Sequence, residues 1–424
     1  MMKLNQVMDD FITIAIQSGG WMELDRLYLK NRLLTMIGGK TPDSDYETEY
    51  DSTSADSLSD SLVDYAVTQS NITDNRKERE YLKVQLLDLL APPPSVVNAF
   101  FAQHYSKSPE EATDYFYELN KRSSYIKSPN MLKEYRYSTK YGNFLLRVVT
   151  DDWETEVSEQ ALIMKENDYP KCMYCFENEG LCEEGTLAVP GRRLIRMNVA
   201  GESWGFQFAQ AEEYQEKFII SSEKHQSMTI DEPSIARMTQ LLDIFPQYFI
   251  CLAAEGRNDH GFYEGGREEL PIAQAVIDQY IELKEFPLMN IGSLIWPFPA
   301  IRLQSPNAED IPRGIAHVLS KWQQNFKTKI QISSVILGRK KENLYEFDLL
   351  LLSEEQKKVI SYQGNVLLAQ KEFEKLANTS ELDQKKAADQ VIDQHISLMK
   401  SWSPVENGQL LQENFETFLI SLEQ

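Results

Sequence analysis

Three consecutive prolines, Pro92-Pro93-Pro94, divide this chain into two regions that must fold by different rules. Each pyrrolidine ring fixes φ and removes a backbone N–H, and it pushes the preceding residue out of the α region, so no helix runs through them. Before the prolines, apolar residues recur at helical spacing. From Val7 to Leu34 the pattern breaks only at Gly19-Gly20, which predicts two helices joined by a turn, and it returns from Val63 to Leu90. Residues 41–62 lie between, with seven acidic side chains and no basic one, and read as a solvated acidic linker.

After the prolines the pattern changes. Ser108-Pro109-Glu110-Glu111 is a capped helix start leading to about Asn120, and Asp231-Glu232-Pro233 opens another that reaches about Phe245. Strands are expected at Phe144–Thr150, Leu194–Val199, Trp204–Phe208, Phe218–Ser221, Leu294–Leu303, Lys329–Leu337 and Leu344–Leu352. The tail is amphipathic helix, and no internal repeat stands out. The fold class is therefore α+β, with a helical region over 1–125, a sheet core over 126–352 and C-terminal helices over 353–424.

The charge balance narrows the function classes. A net charge of −22 argues against a partner whose backbone is phosphate, and equally against an anionic membrane surface. It leaves room for a small anionic substrate in a locally basic pocket. Asp9 and Asp10 interrupt the apolar run that a secretory leader would need, and no stretch is long and apolar enough to span a bilayer. Four cysteines are no disulfide framework. The expectation is a soluble, cytoplasmic protein.

The chain has only five histidines. His104 sits among aromatic residues and reads as packing, while His317 and His395 lie in amphipathic helices without a motif. His225 and His260 fall in polar loops near strands, where functional side chains concentrate. Cys172 and Cys175 are three apart, a spacing that lets both sulfurs reach one tetrahedral metal. On its own the pair is half a site, and two reduced thiols in a turn explain it equally well. Cys182 and Cys251 read as ordinary small side chains.

Several motifs in one order carry a resemblance. They are Ala112-Thr113-Asp114-Tyr115-Phe116-Tyr117, Tyr169-Pro170-Lys171-Cys172 with Cys175 and Glu177-Asn178-Glu179-Gly180, Trp204-Gly205-Phe206-Gln207-Phe208 and Tyr214-Gln215-Glu216. Phe218–Met228 with His225, Phe245-Pro246-Gln247-Tyr248-Phe249 and Trp296-Pro297-Phe298 continue the series. Together they resemble the class II hexose-1-phosphate (galactose-1-phosphate) uridylyltransferases of low-GC Gram-positive bacteria, over roughly residues 1–350.

The resemblance implies a histidine-triad-like twisted antiparallel sheet flanked by helices, and a homodimer. It implies uridylyl transfer from UDP-glucose to a hexose 1-phosphate, with UDP-hexose and hexose 1-phosphate as the ligands, through a histidine in an H-x-H-x-Q motif. A neutral imidazole suits this step because it is nucleophilic near pH 7. A structural zinc is implied as well, its ligands carried over one by one to Cys172, Cys175, His225 and His260. Arg192 and Arg193 are the candidates to meet a phosphate, and Tyr214 and Glu216 match family positions that either contact substrate or support the sheet.

The H-x-H motif itself is missing. His225 and His260 are 35 residues apart and no two histidines are closer. Two registers fit. Aligned without a gap to Gly265-Gly266, His260 takes the first histidine's place as metal ligand, Phe262 replaces the nucleophile, and Glu264 replaces the glutamine. In the second register Asn258-Asp259-His260 matches His-Asp-His, so His260 is the nucleophile and Asn258 stands in the site. The first is preferred because it retains the metal site and the Gly-Gly pair; it makes the chain a catalytically degenerate member. The family's histidine-rich segment after the last core strand is also replaced, by Ser353-Glu354-Glu355-Gln356-Lys357-Lys358.

Overall fold

The structure, a computed structural model, describes residues 2–40, 47–48, 54–151, 169–181, 190–253, 260–325, 332–353, 364–376, 380–403 and 408–423. Four helices built from the N-terminal periodicity make a core of their own: α1 (Leu4–Gln17), α2 (Arg26–Ile37), α3 (Ala55–Thr68) and α4 (Arg76–Asp88). Leu4, Met8, Phe11 and Ile12 meet Leu29, Leu33, Leu58, Leu62, Leu82 and Leu86 there. Beside them β1 (Met2–Lys3) pairs with β2 (Glu47–Thr48). The expected linker over 41–62 therefore ends early. Ser54 accepts a hydrogen bond from the Ser57 N–H, and helix begins at Ala55. The acidic count concealed a stripe of Ala55, Leu58, Leu62 and Tyr65 on one helical face, and all four are buried.

The prolines both end and begin helices. Pro94 is the first residue of α5 (Pro94–Tyr105), where its missing N–H is not needed. α6 (Pro109–Arg122) starts at the Ser108 cap, which accepts from the Glu111 N–H. These two helices belong to the main core rather than to the first four, since Phe101, Phe116 and Leu119 pack with the central strands.

That main sheet has ten strands, all antiparallel: β5 (Ile195–Val199), β6 (Glu202–Phe208), β7 (Phe218–Ser222), β8 (Phe249–Ala253), β9 (Phe262–Gly266), β10 (Ile277–Ile281), β11 (Asn290–Leu294), β12 (Ala300–Ser305), β13 (Ile332–Lys341) and β14 (Leu344–Ser353). The order is β10-β11-β12-β14-β13-β8-β9-β7-β6-β5. It is a repeat, contrary to the sequence expectation of none. A three-strand meander, then a helix, then a hairpin occurs once as β5-β6-β7, α7 (Glu232–Ile244) and β8-β9. It occurs again as β10-β11-β12, α8 (Asp310–Asn325) and β13-β14, and the halves join through β8 and β13. The long strand expected at Leu294–Leu303 is in fact β11 and β12, because the chain reverses through Trp296-Pro297-Phe298 to pair the two antiparallel.

One sheet face, with Ile220, Leu252, Tyr263, Ile301, Ile336 and Leu349, packs on helices including α7, α8 and α11 (Gly408–Leu422). The other meets a small sheet of β3 (Met131–Thr139), β4 (Gly142–Val149) and β15 (Asn365–Ala369). The C-terminal segment is thus not helical throughout: β15 pairs parallel with β4 before α9 (Gln370–Leu376) and α10 (Glu381–Ser401). This α+β arrangement of antiparallel sheet and flanking helices is the class expected. Among the described residues no helix is long and apolar enough to cross a membrane.

Candidate metal centre and the adjoining sheet face

The end of β7 and the start of β9 are stitched together by the main chain. Ser222 N–H donates to the Gly261 carbonyl (3.1 Å), and Gly261 N–H donates to Gln226 (2.7 Å). A Cβ at Gly261 would lie 2.7 Å from that of Met228, so only glycine permits this approach. The stitching brings His225, just past β7, to within 5.0 Å of His260, ring centroid to centroid.

The cysteine turn is held against the same edge. Asn178 Nδ2 donates to the carbonyls of Cys172 (2.8 Å) and Cys175 (3.0 Å), Ser221 Oγ donates to Tyr174 O (3.0 Å), and Arg192 Nη1 donates to Met173 O (2.8 Å). Phe176 lies under the Arg196 guanidinium and over Gly205, where a Cβ would come within 2.7 Å of the ring.

Four ligand atoms converge as a result. Cys172 Sγ is 3.7 Å from Cys175 Sγ and 3.2 Å from His260 Nδ1; Cys175 Sγ is 3.2 Å from His225 Nδ1 and 3.6 Å from His260 Nδ1. All four lie within 4.8 Å of one another. Zinc bonds of about 2.3 Å to sulfur and 2.0–2.1 Å to nitrogen imply tetrahedral edges of roughly 3.4–3.8 Å, close to the four edges given above, and the longest separation of 4.8 Å would have to close by about 1 Å around an ion. The second imidazole nitrogen of His260 donates to the Ser222 carbonyl at 2.6 Å, which fixes the tautomer and leaves Nδ1 as the lone-pair donor facing the sulfurs. Burial favours neutral forms: it lowers the His260 pKa and pushes the Cys172 thiol up to about 11, with the neighbouring Cys175 adding to the rise. A bound dication would reverse that preference at the thiols.

Two residues beyond His260, Phe262 points to the opposite face from Tyr263. Its ring packs on Tyr174 at 4.5 Å, while the Tyr263 hydroxyl reaches Ser234 O under α7. Glu264 follows on the Phe262 face. Burial raises its pKa, opposed by nearby Lys217 and assisted by Glu213. Lys217 itself ion-pairs with Glu213; burial would lower its pKa, but Glu264 and Glu213 hold it raised.

A family model described as galactose-1-phosphate uridyl transferase, N-terminal domain, matches residues 20–191. The galactose-1-phosphate uridylyltransferase of Enterococcus faecalis is 30% identical over 371 residues, covering 80% of this chain and 73% of that protein. The chain belongs to the galactose-1-phosphate uridylyltransferase family. The Lactococcus lactis uridylyltransferase is 31% identical over 375 residues, covering 82% of this chain and 75% of that protein. Among solved structures, yeast Ap4A phosphorylase Apa2 aligns with a TM-score of 0.41 and 9% identity, over 66% of this chain and 93% of the yeast chain.

Other residues singled out in this uridylyltransferase-family sequence lie in different surroundings. Arg193 is spent on the protein. It donates to Asp88 Oδ1 (2.9 Å) and to the carbonyls of Pro92 (2.7 Å), Ala91 (3.0 Å) and Arg192 (2.8 Å), which leaves no N–H directed at a ligand. It ties the end of α4 to the start of β5, a structural role that the sequence reading as a phosphate ligand did not foresee. Arg192 braces the cysteine turn, and its Nε is buried without a partner. Glu216 accepts from Tyr248 Oη (2.5 Å) and ion-pairs with Arg267 (3.0 Å), while burial raises its pKa. Tyr214 is buried beside Phe249 with its hydroxyl unpartnered, and burial raises its pKa strongly. Asn258 lies outside the described residues. Sequence reasoning missed Ser222, whose contribution is a backbone carbonyl and so leaves no side-chain signature, and Tyr174, which the C-x-x-C spacing passes over.

Proposed function

We propose that this chain is a catalytically degenerate galactose-1-phosphate uridylyltransferase relative that retains a structural zinc at Cys172, Cys175, His225 and His260. The observation that carries the reading is the engagement of both His260 ring nitrogens, one toward the thiols and one on the Ser222 carbonyl. That geometry supports the register in which Phe262 occupies the nucleophile's place. A phenyl ring has no lone pair with which to attack phosphorus, so no uridylyl-imidazole forms there.

In this reading zinc supplies structural cross-linking only. The cysteine turn, the loop after β7 and the entry to β9 are locked by it, and Phe262 with Tyr174 closes the sheet surface beside them. UDP-hexose or hexose 1-phosphate remains the ligand class by family, bound without transfer. Arg192, Tyr214, Glu216 and Asn258 are carried as binding candidates, and the reading places the protein in a cytoplasmic, reducing setting, where thiols stay available to a metal.

The competing reading makes His260 the nucleophile, which requires Nε2 or Nδ1 to leave its present partner. Intact-mass spectrometry after incubation with UDP-glucose separates the two. The degenerate reading expects no uridylyl adduct and one zinc per chain by elemental analysis. An adduct that vanishes in His260→Ala would overturn it.

A further inference from the structure

A cleft of about 940 Å³ separates β3 from the first turns of α10. Small-molecule sites fall in the same size range, about 300–1,000 Å³. Strand alternation puts Tyr135 and Tyr137 on one side of β3, about 6.7 Å apart along the chain. Both are half-buried and pack on the core between the two sheets, Tyr135 with 5.6 Å between its ring centroid and that of Phe373 on α9. Both also border the cleft.

The walls carry three cations, Lys133, Arg136 and Lys385, and three carboxylates, Glu134, Glu381 and Asp389. Most of these are engaged within the chain. Lys133 Nζ donates to Gln384 Oε1 (2.5 Å), Arg136 donates to Glu134 (3.0 Å), and Glu134 also meets Arg147 (3.5 Å). Glu381 lies in the first turn of α10, where the helix dipole offsets its charge. A phosphate would find no row of unengaged cations here, and a cationic ligand would meet Lys385. What remains for a ligand is hydrogen bonding. Asp389 Oδ1 is buried without a donor, and the Gln384 amide N–H groups donate to nothing else among the described residues. Burial, then Asp389 and Asp393, raise the Tyr137 pKa, so its hydroxyl stays protonated at neutral pH.

A pyranose ring matches that combination. One face of it is built of C–H groups and packs on the negative face of a tyrosine ring, while its rim carries adjacent hydroxyls that donate and accept at once. An extended peptide matches less well, because it needs a pocket for every second side chain, and Leu382 and Ala388 are the only aliphatic residues on the walls. The cleft also continues along the helix. Asp389 borders a second space of about 550 Å³, shared with Gln390, Asp393, Gln394 and Ser397 on one face of α10. That polar extension suits a chain of sugars rather than a single ring.

We propose that the cleft between β3 and α10 binds an uncharged oligosaccharide, with sugar rings on Tyr135 and Tyr137 and adjacent hydroxyls on Asp389 and Gln384. The site uses no residue of the metal centre or of the sheet face beside it. It therefore stands whether or not the metal is bound or transfer chemistry survives.

The test is isothermal titration calorimetry of the full chain with maltotetraose, cellotetraose and galactotetraose, and with spermidine as a cationic control. At least one tetrasaccharide should bind with a Kd of about 0.1–1 mM. Tyr137→Ala and Asp389→Ala should each weaken it by about tenfold, the first by removing the ring and the second by removing the acceptor. Tyr137→Phe keeps the ring and should stay within about threefold of the natural chain. Any binding of glucose 1-phosphate should be unmoved by the three variants, which separates this cleft from the sheet face beside the metal centre. Absence of tetrasaccharide binding up to about 10 mM would overturn the proposal. So would binding that Tyr137→Ala and Asp389→Ala leave unchanged with both folded by circular dichroism, or a spermidine complex that is lost in Tyr137→Ala.

Discussion

The second repeat carries a buried ion cluster whose strength follows from its geometry. Glu346 on β14 accepts from Arg339 Nε at 2.6 Å and from Gln304 Nε2 at 2.5 Å, with Lys341 Nζ at 3.1 Å. Asp348, two residues on, takes Arg302 Nε at 2.7 Å and Arg339 Nη1 at 2.8 Å. Burial alone would raise the Glu346 pKa, but Arg339 and then Arg302 outweigh it and bring it from 4.5 to about 2. At about 1.4 kcal/mol per pH unit, that difference is worth about 3 kcal/mol of folding stability when the carboxylate is ionised. Because the folded pKa is the depressed one, the contribution is complete above the unfolded value near 4.5 and is lost as pH falls toward 2. Glu346→Gln should therefore lose about 3 kcal/mol at neutral pH and little at pH near 2, where the natural chain has lost the same term. Guanidinium unfolding followed by tryptophan fluorescence reads this directly, since Trp322 is buried in the same half. If the variant and the natural chain lose stability in parallel from pH 7 to pH 3, the ion cluster does not have the strength its geometry implies.

Three further outcomes are expected. Cys172→Ala should abolish stoichiometric zinc by elemental analysis, and a chelator should then lower the melting temperature of the natural chain but not of the variant. Phe262→His combined with Glu264→Gln returns a nitrogen nucleophile to the face beside Tyr174. Intact-mass analysis with UDP-glucose should show an adduct in the double variant that the natural chain lacks, and an adduct-free double variant would mean that more than the nucleophile has been lost. Arg193→Ala leaves Asp88 and the carbonyls of Ala91 and Pro92 without their donor, at a cost of about 2–4 kcal/mol, and limited proteolysis should cut more readily between α4 and α5.

Local signals were legible where local chemistry decides. The Ser108 and Asp231 caps are made as their sequences suggest, each accepting a hydrogen bond from the N–H three residues on. The apolar, β-branched and aromatic runs at β5, β6, β7, β13 and β14 are strands as expected. Illegible were elements whose pattern reflects what packs on them. β3 is exposed over its first four residues and alternates only from Tyr135 on, and β8 is apolar on consecutive positions because both its faces are covered. The repeat was hidden because its halves share topology and not side chains. Tyr263 on β9 faces α7, for instance, whereas the corresponding hairpin strand of the second half puts Phe347 toward the helices.

The same comparison explains why the chemistry could be read only in part. In the second half the hairpin β13-β14 closes tightly, with Lys341 opposite Leu344 and Glu342 at φ 54, so no loop exists there to carry ligands. In the first half β9 starts at Phe262, and His260, two residues before it, lies against the thiols. The spacing of His225 and His260 along the chain says nothing of this, because the β7–β9 pairing and not the sequence interval sets their separation. On the sheet face where Phe262 lies, the charged side chains are matched within the protein in both halves. Glu264 lies near Lys217 in the first, and Asp348 holds Arg302 and Arg339 in the second. On the degenerate reading proposed above, such a face binds or supports but does not transfer, and one imidazole at position 262 is the smallest change that would give it a nucleophile.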